Sequence, residues 1–156
     1  MSRSSTRRKI SLAEYVRRRN GIPLGGGGSL RAMLYRSFGA ASFTGFWQYW
    51  NPIFGYGLSR FVYAPLRQII PDGIATVVTF VICGALHDFA TMLVRQGPAF
   101  LFIPWFFLLG MGVVFSRAAQ MDLSRHPWLV RAGVNFTYLA ACFVPSHALS
   151  RWLGLS

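Results

Sequence analysis

Residues 42–67 read SFTGFWQYWNPIFGYGLSRFVYAPLR, and residues 74–94 follow as IATVVTFVICGALHDFATMLV. The first stretch carries Phe43, Phe46, Trp47, Tyr49, Trp50, Phe54, Tyr56, Phe61 and Tyr63, with Gly45, Gly55, Gly57, Pro52 and Pro65 interrupting it. Rings with polar tips favour the headgroup level of a bilayer, so an interfacial aromatic belt is the simplest expectation. A belt alone does not call for Asn51 between Trp50 and Pro52. The second stretch is 21 residues long, which as a helix is about 31 Å and matches a hydrocarbon core of about 30 Å.

Working outward, residues 98–116 and 132–150 are two further apolar runs, the former with a kink expected at Pro104. The 156 residues are 53% hydrophobic and only 13% charged, which indicates an all-α integral membrane protein. The expected architecture is about three transmembrane helices, N-terminal interfacial helices and a re-entrant aromatic segment, if protein or a cavity covers its broken backbone. Two regions are expected: a basic arm over residues 1–28, and a membrane domain over 29–156 with its interfacial motif at 29–73.

Sixteen Lys and Arg face four Asp and Glu, a net charge of +12. Eleven of the basic residues lie at or before Arg67, beside the hydrophobic half, where they can meet lipid phosphates. Nucleic acid is not expected as a partner, because base readout or stacking needs a soluble platform. The positive-inside rule puts the N-terminal 73 residues and the Arg117, Arg125, Arg131 loop in the cytoplasm, with Arg95 and Arg151 outside. A bacterial inner or intracytoplasmic membrane is the expected location. No secretory signal pattern is visible at the N-terminus.

Within the arm, Ser11-Leu12-Ala13-Glu14 fits a capping box and Asn20-Gly21 a stop, predicting a short helix over 11–20. It ends in Arg17, Arg18 and Arg19, which with Arg31 and Arg36 are the expected lipid or partner contacts. The run Gly25–Gly28 reads as a flexible joint, and Ser29 as the cap of a second helix to Phe38.

His87 and Asp88 lie inside the first apolar run, and an ionisable residue at membrane depth is a functional candidate by default. Asp88 is expected to pair with a neighbouring helix. Cys83 and Cys142 fall in apolar runs without metal-ligand spacing and read as packed thiols; no metal site is expected.

The strings Phe46-Trp47-Gln48-Tyr49-Trp50-Asn51, Phe61-Val62-Tyr63-Ala64-Pro65-Leu66 and Gly84-Ala85-Leu86-His87 together resemble the signature of the membrane-bound O-acyltransferase family. His87 lies 36 residues after Asn51, in keeping with that family's order and spacing. The resemblance covers about residues 42–94. It implies that His87 is the general base on an acceptor hydroxyl and that Asn51 holds the acceptor or the thioester oxygen; Trp50, Asp88 and Tyr63 are the expected supporting residues beside them. It implies an acyl thioester such as acyl-CoA as substrate, and no cofactor. Cys83 stands where the family often has Ser, and Asp88 where it often has Gly. Family enzymes also wrap many more membrane helices around an acyl-donor tunnel.

Two functions of different classes follow. One is a miniature O-acyltransferase. The other is a non-catalytic subunit of a larger respiratory, photosynthetic or transport complex, which keeps the motif as scaffold and docks on partner membrane subunits. In either case a homo-oligomer or partner chains are expected beside the lipids, and Gly110 and Gly112 would let a neighbouring helix approach closely.

Overall fold

Ser11 is extended and its hydroxyl accepts the Glu14 amide at 3.2 Å, so α1 (Leu12–Asn20) starts where the Ser-x-x-Glu pattern places it. Gly21, at φ 78°, ends it. This is a computed structural model that describes residues 10–155. Residues 1–9, with Arg3, Arg7, Arg8 and Lys9 of the basic arm, and residue 156 lie outside the described residues.

The glycine run turns the chain into α2 (Ser29–Phe38), and the residue before this helix is Gly28 at φ 77°, not Ser29 as expected. Asn20 accounts for the shift. Its side-chain amide donates to the Ser29 carbonyl at 3.1 Å and to the Ser29 hydroxyl at 2.5 Å, pinning the base of the glycine loop.

α3 (Phe43–Tyr49) begins at Ser42, whose hydroxyl accepts the Gly45 amide at 3.1 Å. After the break at Trp50 and Asn51, α4 (Pro52–Leu58) continues through a π-helical turn at Ser59–Tyr63 into α5 (Ala64–Leu66). Pro65 explains the wide turn: its ring would strike the carbonyl one α-helical turn back, and it has no N–H to offer. The belt expectation is corrected for the first part of this stretch. Phe43 and Phe46 are buried, Phe46 fully, and join Cys83, Phe106, Leu109, Val113 and Cys142 in the core. Both thiols are free and buried.

α6 (Asp72–Arg95) is, among the described residues, the one helix both long and apolar enough to cross a membrane. α7 (Phe102–Ala118) is apolar but only 17 residues long, and α8 (Trp128–Trp152), at 25 residues, mixes apolar with polar positions. The chain is all-helical over the described residues. α7 starts four residues later than its apolar run, because Asp88 of α6 accepts the amides of Leu101, Phe102 and Ile103 at 2.8–2.9 Å and fixes the first turn there. Pro104 therefore falls in that first turn, where an amide has no intrahelical acceptor, and the expected kink has no cause.

Two glycines interlock α6 and α7. A Cβ on Gly84 would sit 2.5 Å from the Phe102 carbonyl oxygen and 3.0 Å from the Ile103 Cα; one on Gly110 would sit 3.2 Å from the Val77 Cα. Gly112 lies against the Tyr138 ring of α8, so the close approach at Gly110 and Gly112 is made within this chain. Gly84→Ala gains about 1 kcal/mol of helix propensity, but the neighbouring atoms are backbone and cannot swing aside. Net destabilisation of about 1–3 kcal/mol is expected, checked by thermal unfolding in detergent.

α8 closes the other side. Asn135, buried, donates to the carbonyls of Phe38 and Ala40 at 3.0 and 3.1 Å, and Trp128 donates to that of Tyr35 at 3.0 Å. The Phe38 carbonyl at the end of α2, which has no acceptor role within that helix, thus finds a donor on α8. That end carries the chain into α3, so α8 helps set where the aromatic motif begins.

Candidate functional site

A cavity of about 280 Å³ lies between α1, α3, α4, α6 and α7. His87 and Asn51 both line it, as do Trp50 and Tyr63. Asp88 is not among its walls; it is 1% exposed and holds the start of α7.

His87 is set by its own helix. Its Nδ1 lies 2.8 Å from the Cys83 carbonyl oxygen one turn back. A carbonyl can only accept, so Nδ1 carries the proton, and in the neutral ring Nε2 keeps a lone pair. The rings of Phe102 and Phe106 lie 5.3 and 5.1 Å from the imidazole, with Phe54 edge-on at 5.9 Å. These contacts fix the plane of the ring.

Asn51 is set by the break between α3 and α4. It adopts φ 40°, a left-handed conformation that Asn tolerates better than most residues. Its Oδ1 accepts the Phe54 amide at 3.3 Å and caps α4. The acceptor atom is thereby committed, which leaves the side-chain NH2 as the group able to donate to a ligand. Phe54 ties the two candidates together, since its amide binds Asn51 and its ring meets His87.

The N-terminal arm contributes a wall that the sequence does not announce. Tyr15 and Arg19 of α1 line the cavity, Tyr56 donates to the Ile10 carbonyl at 3.1 Å, and the Tyr15 and Tyr56 rings meet at 5.4 Å. Of the five arginines expected at lipid or partners, Arg18 pairs with Glu14 at 2.6 Å, Arg36 donates to the Arg19 carbonyl at 3.2 Å, and Arg19 donates to Gln48 at 2.7 Å. Arg17 and Arg31 are exposed.

No protein-family model, curated protein or solved structure matches this chain. The geometry of the cavity is therefore the ground on which its chemistry stands.

At one edge of the cavity, Tyr63 donates a hydrogen bond to Asp72, which also faces Arg67 at 3.0 Å and Arg117 at 3.1 Å. Arg117 reaches Thr76 as well, at 3.2 Å. The π-helical turn brings Tyr63 to the start of α6, and Arg117 brings the end of α7 to the same point. Burial first, and then the bond to Asp72, push the Tyr63 phenol above its ordinary range. The folded state thus holds this proton more tightly than the unfolded chain, and stability falls as pH rises from the unfolded value through the folded one. Tyr63→Phe should flatten the loss of thermal stability as pH rises above about 10; an unchanged alkaline slope would contradict the role of this bond.

Proposed function

We propose that this chain is a small membrane-embedded O-acyltransferase of the membrane-bound O-acyltransferase type. The observation that carries the proposal is that His87, whose Nδ1 faces the Cys83 carbonyl and whose Nε2 is left for a ligand, shares one cavity with the side-chain NH2 of Asn51. In the reaction, Nε2 takes the proton of an acceptor hydroxyl as its oxygen attacks the carbonyl carbon of an acyl thioester. The developing oxyanion is met by the Asn51 NH2. Collapse forms the ester, breaks the C–S bond and returns the proton from Nε2 to the departing thiolate.

A cavity of about 280 Å³ is at the small end of ligand pockets. It suits the reacting ends of donor and acceptor, with a long acyl chain continuing along the lipid or a second subunit. In this reading α6, α7 and α8 are the three membrane helices, the aromatic segment enters the bilayer under their cover, and the N-terminus is cytoplasmic, in a bacterial inner or intracytoplasmic membrane.

The test is transfer from a labelled acyl-CoA to hydroxyl acceptors by protein purified in mild detergent, with native mass recorded alongside. Turnover by a monomer or homo-oligomer supports the proposal. Incorporation into a larger complex at fixed stoichiometry with no turnover would instead make the chain a scaffold subunit.

A further inference from the structure

We infer that the cavity contains an anion subsite at Arg19, and that the acyl acceptor is a small hydroxyl compound bearing a phosphate or carboxylate. The role of this ligand as acceptor rests on the acyl-transfer proposal; the subsite itself does not. Two arginines line the cavity, and they differ. Arg117 is met by the Asp72 carboxylate. Arg19 pairs with no carboxylate among the described residues. It is only half-exposed, whereas Arg17 and Arg18 beside it are exposed.

Arg19 is also pre-aimed. Gln48 Oε1 accepts from its Nη1 at 2.7 Å, and its guanidinium lies over the Tyr15 ring at 5.3 Å from the centroid. Both partners are neutral, so they orient the charge without cancelling it. A held guanidinium with unused N–H groups matches the planar, two-oxygen geometry of phosphate and carboxylate. Gln48 belongs to the motif between Trp47 and Trp50, so the arm's cation is fastened to the element that carries Asn51.

The anion is assigned to the acceptor because the cavity is too small to enclose a long acyl donor, and because the walls that α6 and α7 contribute include Phe80, Phe106 and Val113. An apolar wall suits the acyl end, and a cationic one suits the other reactant.

Binding to the purified full chain, in nanodiscs of phosphatidylcholine, tests this with sn-glycerol 3-phosphate against glycerol as probes. Glycerol should bind at least about tenfold more weakly. Arg19→Gln should reduce that discrimination to within about threefold, Arg19→Lys should restore part of it, and Arg18→Gln should leave it unchanged. Equal binding of the two probes to the unaltered chain would overturn the subsite, and this comparison needs no variant to fold. Loss of discrimination on adding phosphatidylglycerol to the nanodiscs would assign the anion to a lipid headgroup and overturn the small acceptor. Turnover that needs His87 but shows no preference for a charged acceptor would remove the subsite and leave acyl transfer standing. Arg19-dependent binding without turnover in any assay would retain the subsite and remove the acceptor role.

Discussion

Asp88→Ala is expected to cost about 3–5 kcal/mol of stability. The Asp88 carboxylate is 1% exposed, and its two oxygens accept three backbone amides, from Leu101, Phe102 and Ile103, at 2.8–2.9 Å. These amides head α7 and have no intrahelical acceptors, and the positive end of the helix dipole adds to the attraction. Placing a carboxylate at bilayer depth costs about 2.5–3.5 kcal/mol on insertion scales. Three charge-assisted bonds at about 1.5–3 kcal/mol each outweigh that cost. Alanine removes all three and leaves the amides dry. Asp88→Asn keeps an oxygen for Leu101 and Phe102 but turns an NH2 toward the Ile103 amide, so about half the loss is expected. Thermal and denaturant unfolding in detergent measures both. A stable Asp88→Ala protein with lost turnover would instead put Asp88 in the chemistry.

The same residue shows where a single sequence stops being legible. The first helix could be bounded from Ser11, Glu14 and Gly21, because a cap is a local bond between residues three apart. The start of α7 could not, since the group that fixes it lies 13–15 residues upstream on another helix. Apolar content marked residues 98–101 as span, and a tertiary hydrogen bond decided otherwise. Gly110 and Gly112 were legible as small residues at a helix contact, but nothing in their spacing says that Val77 and Tyr138 of the same chain fill the space.

The candidate site divides in the same way. Asn51 and His87 stood out because each is a polar residue in an apolar setting, and a shared cavity brings them together. The third wall was invisible. Arg19 belongs to a charge run whose three members look alike in sequence, and only the packing of α1 on α3 and α4 separates it from Arg17 and Arg18. The one available signal was Gln48, a polar side chain with no evident partner inside an aromatic string. Tyr63 was legible as part of a motif, yet its partner Asp72 becomes apparent only once the π-helical turn has rotated the phenol toward the start of α6.

For acyl transfer, removing the base should lower the rate by about 10²–10⁴-fold while folding is retained. The variant that separates these two effects is His87→Asn. Nδ1 of His87 holds the helix geometry by donating to the Cys83 carbonyl, and Nε2 does the proposed chemistry. An asparagine amide can place an NH2 near the Nδ1 position and keep the first bond, but it has no basic nitrogen where Nε2 lies. His87→Ala removes both, and it also empties the space between Phe54, Phe102 and Phe106, so a stability loss would accompany it. Nearly unchanged thermal stability with turnover lost in His87→Asn is therefore the outcome that assigns base catalysis to Nε2. Asn51→Ala should slow turnover by about 10²–10³-fold through loss of the oxyanion donor. If the two groups act in one step, the double variant should be little slower than His87→Asn alone. Fully multiplicative losses would mean that the two residues serve separate steps, and turnover as fast as the unaltered protein's in all three variants would remove the cavity from the reaction.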